Sequence, residues 1–171
     1  MRFRTTRLAA VLALGLLGVL VPTAAHADPP VTIPPGQYLV DTNDSLGAGT
    51  SEVRDAITEL QESTGYTLYV VFVDTFTDPS DATAWARDVV ETKGMGAQEA
   101  LLAIATEDRK MQVATGDQSV LNESRRNAML QAAQEPLLGN QDITSQDWTA
   151  AAVNAAESLE DIAGGGSGET T

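Results

Sequence analysis

The stretch Tyr66-Thr67-Leu68-Tyr69-Val70-Val71-Phe72-Val73-Asp74 decides the fold. It is a continuous β-branched and aromatic run without polar alternation, the pattern of a strand covered on both faces. Upstream, Val53, Ala56, Ile57 and Leu60 keep helical spacing across residues 51–64, and Gly65 suits the stop of that helix. Downstream, Asp78-Pro79-Ser80-Asp81 opens a second helix in which Trp85 and Val89 stand one turn apart, with Gly94 closing it. Residues 100–105 form another all-apolar strand. It turns at Glu107-Asp108 into Lys110-Met111-Gln112-Val113, whose alternation predicts one wet face. A short strand over residues 37–41 precedes all of this. A third helix over 122–133 is stopped by Pro136, and a fourth over 146–162 carries Trp148, Ala152, Ala155, Leu159 and Ile162 on one stripe. Trp85 and Trp148 read as core. The order β-α-β-α-β-β-α-α predicts an α/β fold: a three-layer α/β/α sandwich around a mostly parallel sheet with an antiparallel edge hairpin.

The ends of the chain read differently. Arg2, Arg4 and Arg7 precede an apolar run of 14 residues ending at Val21, and Ala25-His26-Ala27 supplies a small-x-small cleavage site. A membrane span needs about 20 apolar residues. Residues 1–27 are therefore expected to be a signal peptide, cleaved after Ala27, and the mature protein to be secreted or extracytoplasmic, with association to the cell envelope an open possibility. Residues 28–36 hold Pro29, Pro30, Pro34 and Pro35 and read as an extended leader with no core role. Residues 37–162 are the domain, and residues 163–171, beginning in a Gly-rich stretch, are expected to be a flexible tail.

Charge and composition remove whole classes of chemistry. The 171 residues carry 24 acidic and 10 basic side chains, one histidine and no cysteine. Loss of the leader takes Arg2, Arg4, Arg7 and His26 with it. What remains has 24 acidic against seven basic side chains, a net charge of −17, and neither histidine nor cysteine. Ser-His-Asp triads, Cys-His dyads and His- or thiolate-ligated zinc are thereby excluded. Nonspecific binding of nucleic acid or of an anionic membrane surface is disfavoured by the same charge. Carboxylates, hydroxyls, amides and a hard cation held by oxygen ligands are left.

Three acidic segments fall at strand ends. These are Asp41-Thr42-Asn43-Asp44-Ser45, then Asp74, then Glu107-Asp108-Arg109-Lys110 in the hairpin turn. In a parallel sheet, ligands collect at the carboxyl ends of the strands, and carboxylates gathered there repel one another unless a cation neutralises them. Asp41, Asp74, Glu107 and Asp108 are thus candidate ligands for a divalent cation, calcium favoured, with Asp41, Asp74 and Asp108 expected to face one crevice. The alternative is that these acids serve only to turn the chain and cap helices. Asp41, Asn43, Ser45 and Glu52 echo the ligand spacing of an EF-hand, but Leu46 stands where glycine is required and a strand leads in. Phe76 breaks both D-x-D-x-T and D-x-S-x-S after Asp74.

The succession Thr64-Gly65, the strand ending in Asp74, Gly94-Met95-Gly96, and Leu101-Leu102-Ala103-Ile104-Ala105-Thr106-Glu107-Asp108-Arg109 resembles the TPM domain family, as does Gln146-Asp147-Trp148 at the start of the last helix. The resemblance spans residues 37–162. It implies an exported α/β/α sandwich, calcium binding in some relatives and acid phosphatase activity assigned to plastid ones. Glu107 replaces the first acid of the family's D-D-R, and Thr115-Gly116-Asp117-Gln118 keeps one glycine of a G-Y-G-like turn. Two functions follow as expectations. One is a noncatalytic module at the cell envelope that binds a divalent cation and a protein partner. The other is a metal-assisted phosphomonoester hydrolase using the same carboxylates, against which the −17 charge counts.

Overall fold

The structure is a computed structural model and describes residues 28–168; the expected signal peptide and the last three residues of the tail lie outside the described residues. Its elements are β1 (Leu39–Asp41), α1 (Thr50–Thr64), β2 (Thr67–Val73), α2 (Ala82–Lys93), β3 (Glu99–Ala105), β4 (Lys110–Thr115), α3 (Glu123–Gln134) and α4 (Ser145–Ala163). Short 3-10 turns cover Gly47–Gly49 and Glu135–Leu137. The caps follow local chemistry. Asp81 accepts from the Ala84 amide at 2.8 Å and Asn122 from the Arg125 amide at 3.1 Å. Gly65 (φ 75°) and Gly94 (φ 73°) end α1 and α2 in the left-handed conformation that glycine adopts without strain.

The sheet runs β1-β2-β3-β4, with β1, β2 and β3 parallel and β4 antiparallel to β3. β2 is buried along its whole length, as its unbroken apolar run requires. Its alternate residues serve two cores. Leu68, Val70 and Phe72 pack with α1, α3 and α4 on one face. Tyr69, Val71 and Val73 pack with Trp85, Ala86, Val89 and Val90 of α2 on the other. The three-layer α/β/α sandwich is therefore present as expected.

One feature of the topology departs from the general rule. β1, β2 and β3 are successive neighbours, yet α1 lies over one face and α2 over the opposite face. Two parallel crossovers that step the same way across a sheet, over opposite faces, have opposite hands. One of them is therefore left-handed, against the strong preference for right-handed crossovers. The consequence is local. The chain leaves β1 toward one face and β2 toward the other, so the loops after these neighbouring strands diverge at their carboxyl ends, as they do at a reversal of strand order elsewhere.

Two expectations about the termini are corrected. The leader does have a core role: Ile33 is only 4% exposed and packs in the α2-side core. Asp28 forms a parallel bridge to Phe76, and its carbonyl accepts from the Trp85 indole at 2.9 Å. Prolines fix an extended path here, and an extended path can lay one apolar side chain into a core. The Gly-rich tail, as far as Gly168, folds back on α4 instead of hanging free. The Gly168 amide donates to Asp161 at 2.8 Å and the Ser158 hydroxyl donates to the Gly168 carbonyl. A Cβ at Gly166 would lie 2.0 Å from the Asp161 carboxylate, so glycine is what permits this approach.

Candidate functional site

The carboxyl ends of β1, β2 and β3 and the β3–β4 turn share one edge of the sheet. The ladders continue past the strands there. Thr42 donates to the Phe72 carbonyl through its amide at 3.1 Å and its hydroxyl at 3.0 Å. The Thr106 amide donates to the Val73 carbonyl at 3.0 Å, and the Glu107 amide to the Asp74 carbonyl at 2.9 Å. These bonds hold the loop ends in register, so what their side chains meet is set by the sheet.

At the centre stands Asn43. Its amide nitrogen donates to Asp74 Oδ1 at 2.8 Å and to Thr106 Oγ1 at 2.9 Å, tying the ends of all three parallel strands together. Its own carbonyl oxygen accepts from the Ser45 hydroxyl. Asp28 closes the far side: its Oδ2 accepts from the Asp74 backbone amide at 3.0 Å. Asp74, Asn43 and Thr106 are half-buried, where charge-assisted hydrogen bonds are stronger than in bulk water.

The four expected ligands are thus dispersed in role. Asp74 is at the centre of the cluster. Asp41 faces its own loop, its two oxygens accepting from the Ser45 and Leu46 amides at 3.0 Å each, while Asp44 sits in the left-handed region at φ 54°. Asp41 thus closes its loop over the amides four and five residues on, a chain-turning role of the kind named as the alternative for these acids. Glu107 is exposed and joins the edge through its backbone. Asp108 pairs with Lys110 at 3.2 Å. Among the described residues, no group of three or more acidic side chains is placed to hold a metal ion. The arrangement as it stands fits a complete four-carboxylate shell poorly, because Asp74 is met by an amide N–H group and Asp108 by an ammonium.

Thr106 and Asp28 are the members that sequence reasoning passed over, and Asn43 was read only as part of an EF-hand-like spacing. A polar residue directly after an all-apolar strand was the available signal for Thr106. Asp28 carried none, since its contact with Asp74 spans 46 positions. Of the two ion pairs among the described residues, Arg87–Glu91 and Lys110–Asp108, neither includes Asp28, Asp41, Asp74 or Glu107. The edge is oxygen-rich and anionic. Its chemistry suits a hard cation or a polar partner and not a phosphate, which needs positive charge to meet it.

The architecture and this acidic edge define an α/β/α module of the kind first suggested by the order of its strands. The chain belongs to the TPM domain family, whose model matches residues 39–162. Among solved structures, it is similar to the N-terminal domain of the cg2496 protein from Corynebacterium glutamicum, with 21% identity, a TM-score of 0.60, and coverage of 85% of this chain and 90% of that one. It is also similar to the N-terminal domain of a protein from P. gingivalis, with 11% identity, a TM-score of 0.60, and coverage of 75% and 82%. At these identities the likeness speaks to the fold alone. Curated proteins gave no match.

Proposed function

We propose that this chain is a noncatalytic, extracytoplasmic binding module whose working face is the carboxyl edge of its sheet. In this reading Asp74 is the primary ligand for a divalent cation, calcium before magnesium, with Glu107 and the Asp28 carboxylate as further oxygens that a small loop shift brings in. Asp41 shapes the loop, and Asp108 contributes charge. A protein partner at the cell envelope is the second ligand of the same face. The observation that carries the reading is the Asn43 bridge to Asp74 and Thr106, which concentrates the ends of three strands on one carboxylate. Calcium tolerates irregular, partly hydrated oxygen shells, so it suits a crevice with few preformed ligands. Export rests on the sequence of residues 1–27.

The test is a calcium titration of residues 28–171 followed by amide NMR. Shifts should centre on Asn43, Asp74, Thr106 and Glu107, and Asp74→Asn should weaken binding at least tenfold while preserving the fold. Equal affinity in Asp74→Asn removes the cation reading. The family model bears the word phosphatase in its name, which favours a second reading as a metal-assisted phosphomonoester hydrolase. Metal-dependent phosphate release from a simple aryl phosphate, abolished by Asp74→Asn, would establish that reading in place of the first.

A further inference from the structure

We propose that the pocket beside the β3–β4 hairpin is a docking site for the C-terminus of a partner protein that ends in an apolar residue. The proposal rests on the binding-module reading above, but on neither its cation nor Asp74. The pocket has a volume of about 320 Å³ and lies between the hairpin and the segment that joins α3 to α4, with Met111, Leu137, Ile143 and Trp148 among its walls. Trp148 is backed by Phe72, edge-on at 6.4 Å between ring centroids, so the pocket has a rigid aromatic floor. On its rim is Leu138, which at 75% exposure is the large apolar side chain most open to water among the described residues.

The second rim group is Arg109. Its backbone is in the left-handed region at φ 51°, and its guanidinium donates to the Gln141 carbonyl, which anchors the side chain beside the pocket that Arg109 helps to line. A guanidinium has five N–H donors and one is accounted for by that bond. Among the described residues no carboxylate pairs with it, whereas the neighbouring Lys110 is paired with Asp108. Gln134 and Asn140 complete the lining, so the pocket is of mixed character, and its apolar side chains with an unmatched guanidinium beside them are complementary to an apolar group carrying a negative charge.

Two physical arguments narrow the occupant. A net charge of −17 over residues 28–171 repels anions in general, so an anionic ligand is tolerated only where a local cation and apolar burial act together. A volume near the lower limit for small-molecule pockets also holds one or two side chains and not a helix or strand. A chain end satisfies both, because one residue supplies the apolar side chain and the α-carboxylate.

The experiment uses residues 28–171 and two probes, N-acetyl-alanyl-leucine as the free acid and as its amide, each titrated to about 20 mM by amide and indole NMR. The acid should shift the Trp148 indole and the Arg109 and Leu138 amides, and should bind roughly tenfold more tightly than the amide, as for a hydrogen bond to a charged group. Arg109→Gln should bring acid and amide to equal affinity, Arg109→Lys should restore part of the difference, and Leu138→Ser should weaken both probes. Arg87→Gln, on the far helix, should change nothing. Equal binding of acid and amide to the unaltered protein overturns the proposal, as does the absence of shifts at Trp148. Dilution-dependent shifts of the same residues without probe would make a second copy the occupant, which also overturns it. Binding that persists in Asp74→Asn separates this site from the cation reading.

Discussion

Asn43 donates through its side-chain amide to both Asp74 and Thr106, residues that follow two different strands. Its replacement by aspartate makes a direct test of the edge. Asn43→Asp removes two donors and sets a carboxylate against Asp74, so the cation-free protein should lose about 1–3 kcal/mol of stability. If the edge takes calcium, the same substitution adds a ligand, and the calcium-induced rise in Tm should be larger than in the unaltered protein. Thermal melts with and without calcium check both halves. A second residue-scale prediction concerns Asp147, which closes a capping box with Thr144 at the start of α4. The Thr144 backbone amide, then its hydroxyl, then Asn140, hold the Asp147 carboxyl below its ordinary pKa. A depressed carboxylate contributes stability that is present above its unfolded pKa, near 3.9, and is lost as pH falls through the folded value. The Tm difference between the unaltered protein and Asp147→Ala should therefore be constant from about pH 5 to pH 8 and shrink below about pH 4. A difference independent of pH would show that packing, and not ionisation, sets the contribution.

At the scale of elements, the molecule depends on two contacts that join distant pieces of chain. Ile33 carries the leader into the α2-side core, and Ile33→Ala should cost about 2–4 kcal/mol by cavity formation, measurable as a lower urea midpoint at unchanged slope. A change below about 0.5 kcal/mol would return the leader to a passive role. Gly49, at the entry to α1, approaches α4 closely. A Cβ there would lie 1.9 Å from the Thr149 hydroxyl. Gly49→Ala should destabilise through overpacking by about 1–3 kcal/mol, and Thr149→Ala in the same chain should relieve part of that loss, because it removes the nearest atom but leaves a Cβ 2.9 Å away. Additive effects of the two substitutions would mean that the helices do not press on one another here.

Across the whole molecule, an excess of 14 acidic over basic side chains in the full chain, all of the acids lying beyond residue 27, makes self-repulsion a general term in stability. Sodium chloride should raise Tm by screening. Calcium at equal ionic strength should raise it further if it occupies a site on the native state, by mass action. Equal rises with both salts would leave screening alone. The topology adds a geometric consequence. Opposite-handed crossovers place α1 and α2 on opposite faces, so the loops that follow β1 and β2 part from one another at the edge where Asp74 stands.

Local sequence determined the elements. The unbroken apolar run of β2, the glycines at 65 and 94, and the acids at strand ends act over a few neighbouring residues, and each was legible without the rest of the chain. The same holds for the order of elements, hence for the sandwich and for the edge on which Asp74 stands. Tertiary structure alone decided which side chains meet at that edge. Asp41 and Asp74 end neighbouring strands, but in register Asp41 is opposite Phe72, two residues short of Asp74, and it is Asn43 that reaches across. Asp28 and Ile33 looked like parts of a proline-rich leader because nothing in their own neighbourhood announces a partner; Asp28 reaches Asp74 and Trp85 in space, and Ile33 the α2-side core. Whether a carboxylate turns a loop or faces a crevice depends on strand register and on the face to which each crossover passes, and both are set by packing between segments far apart in the chain.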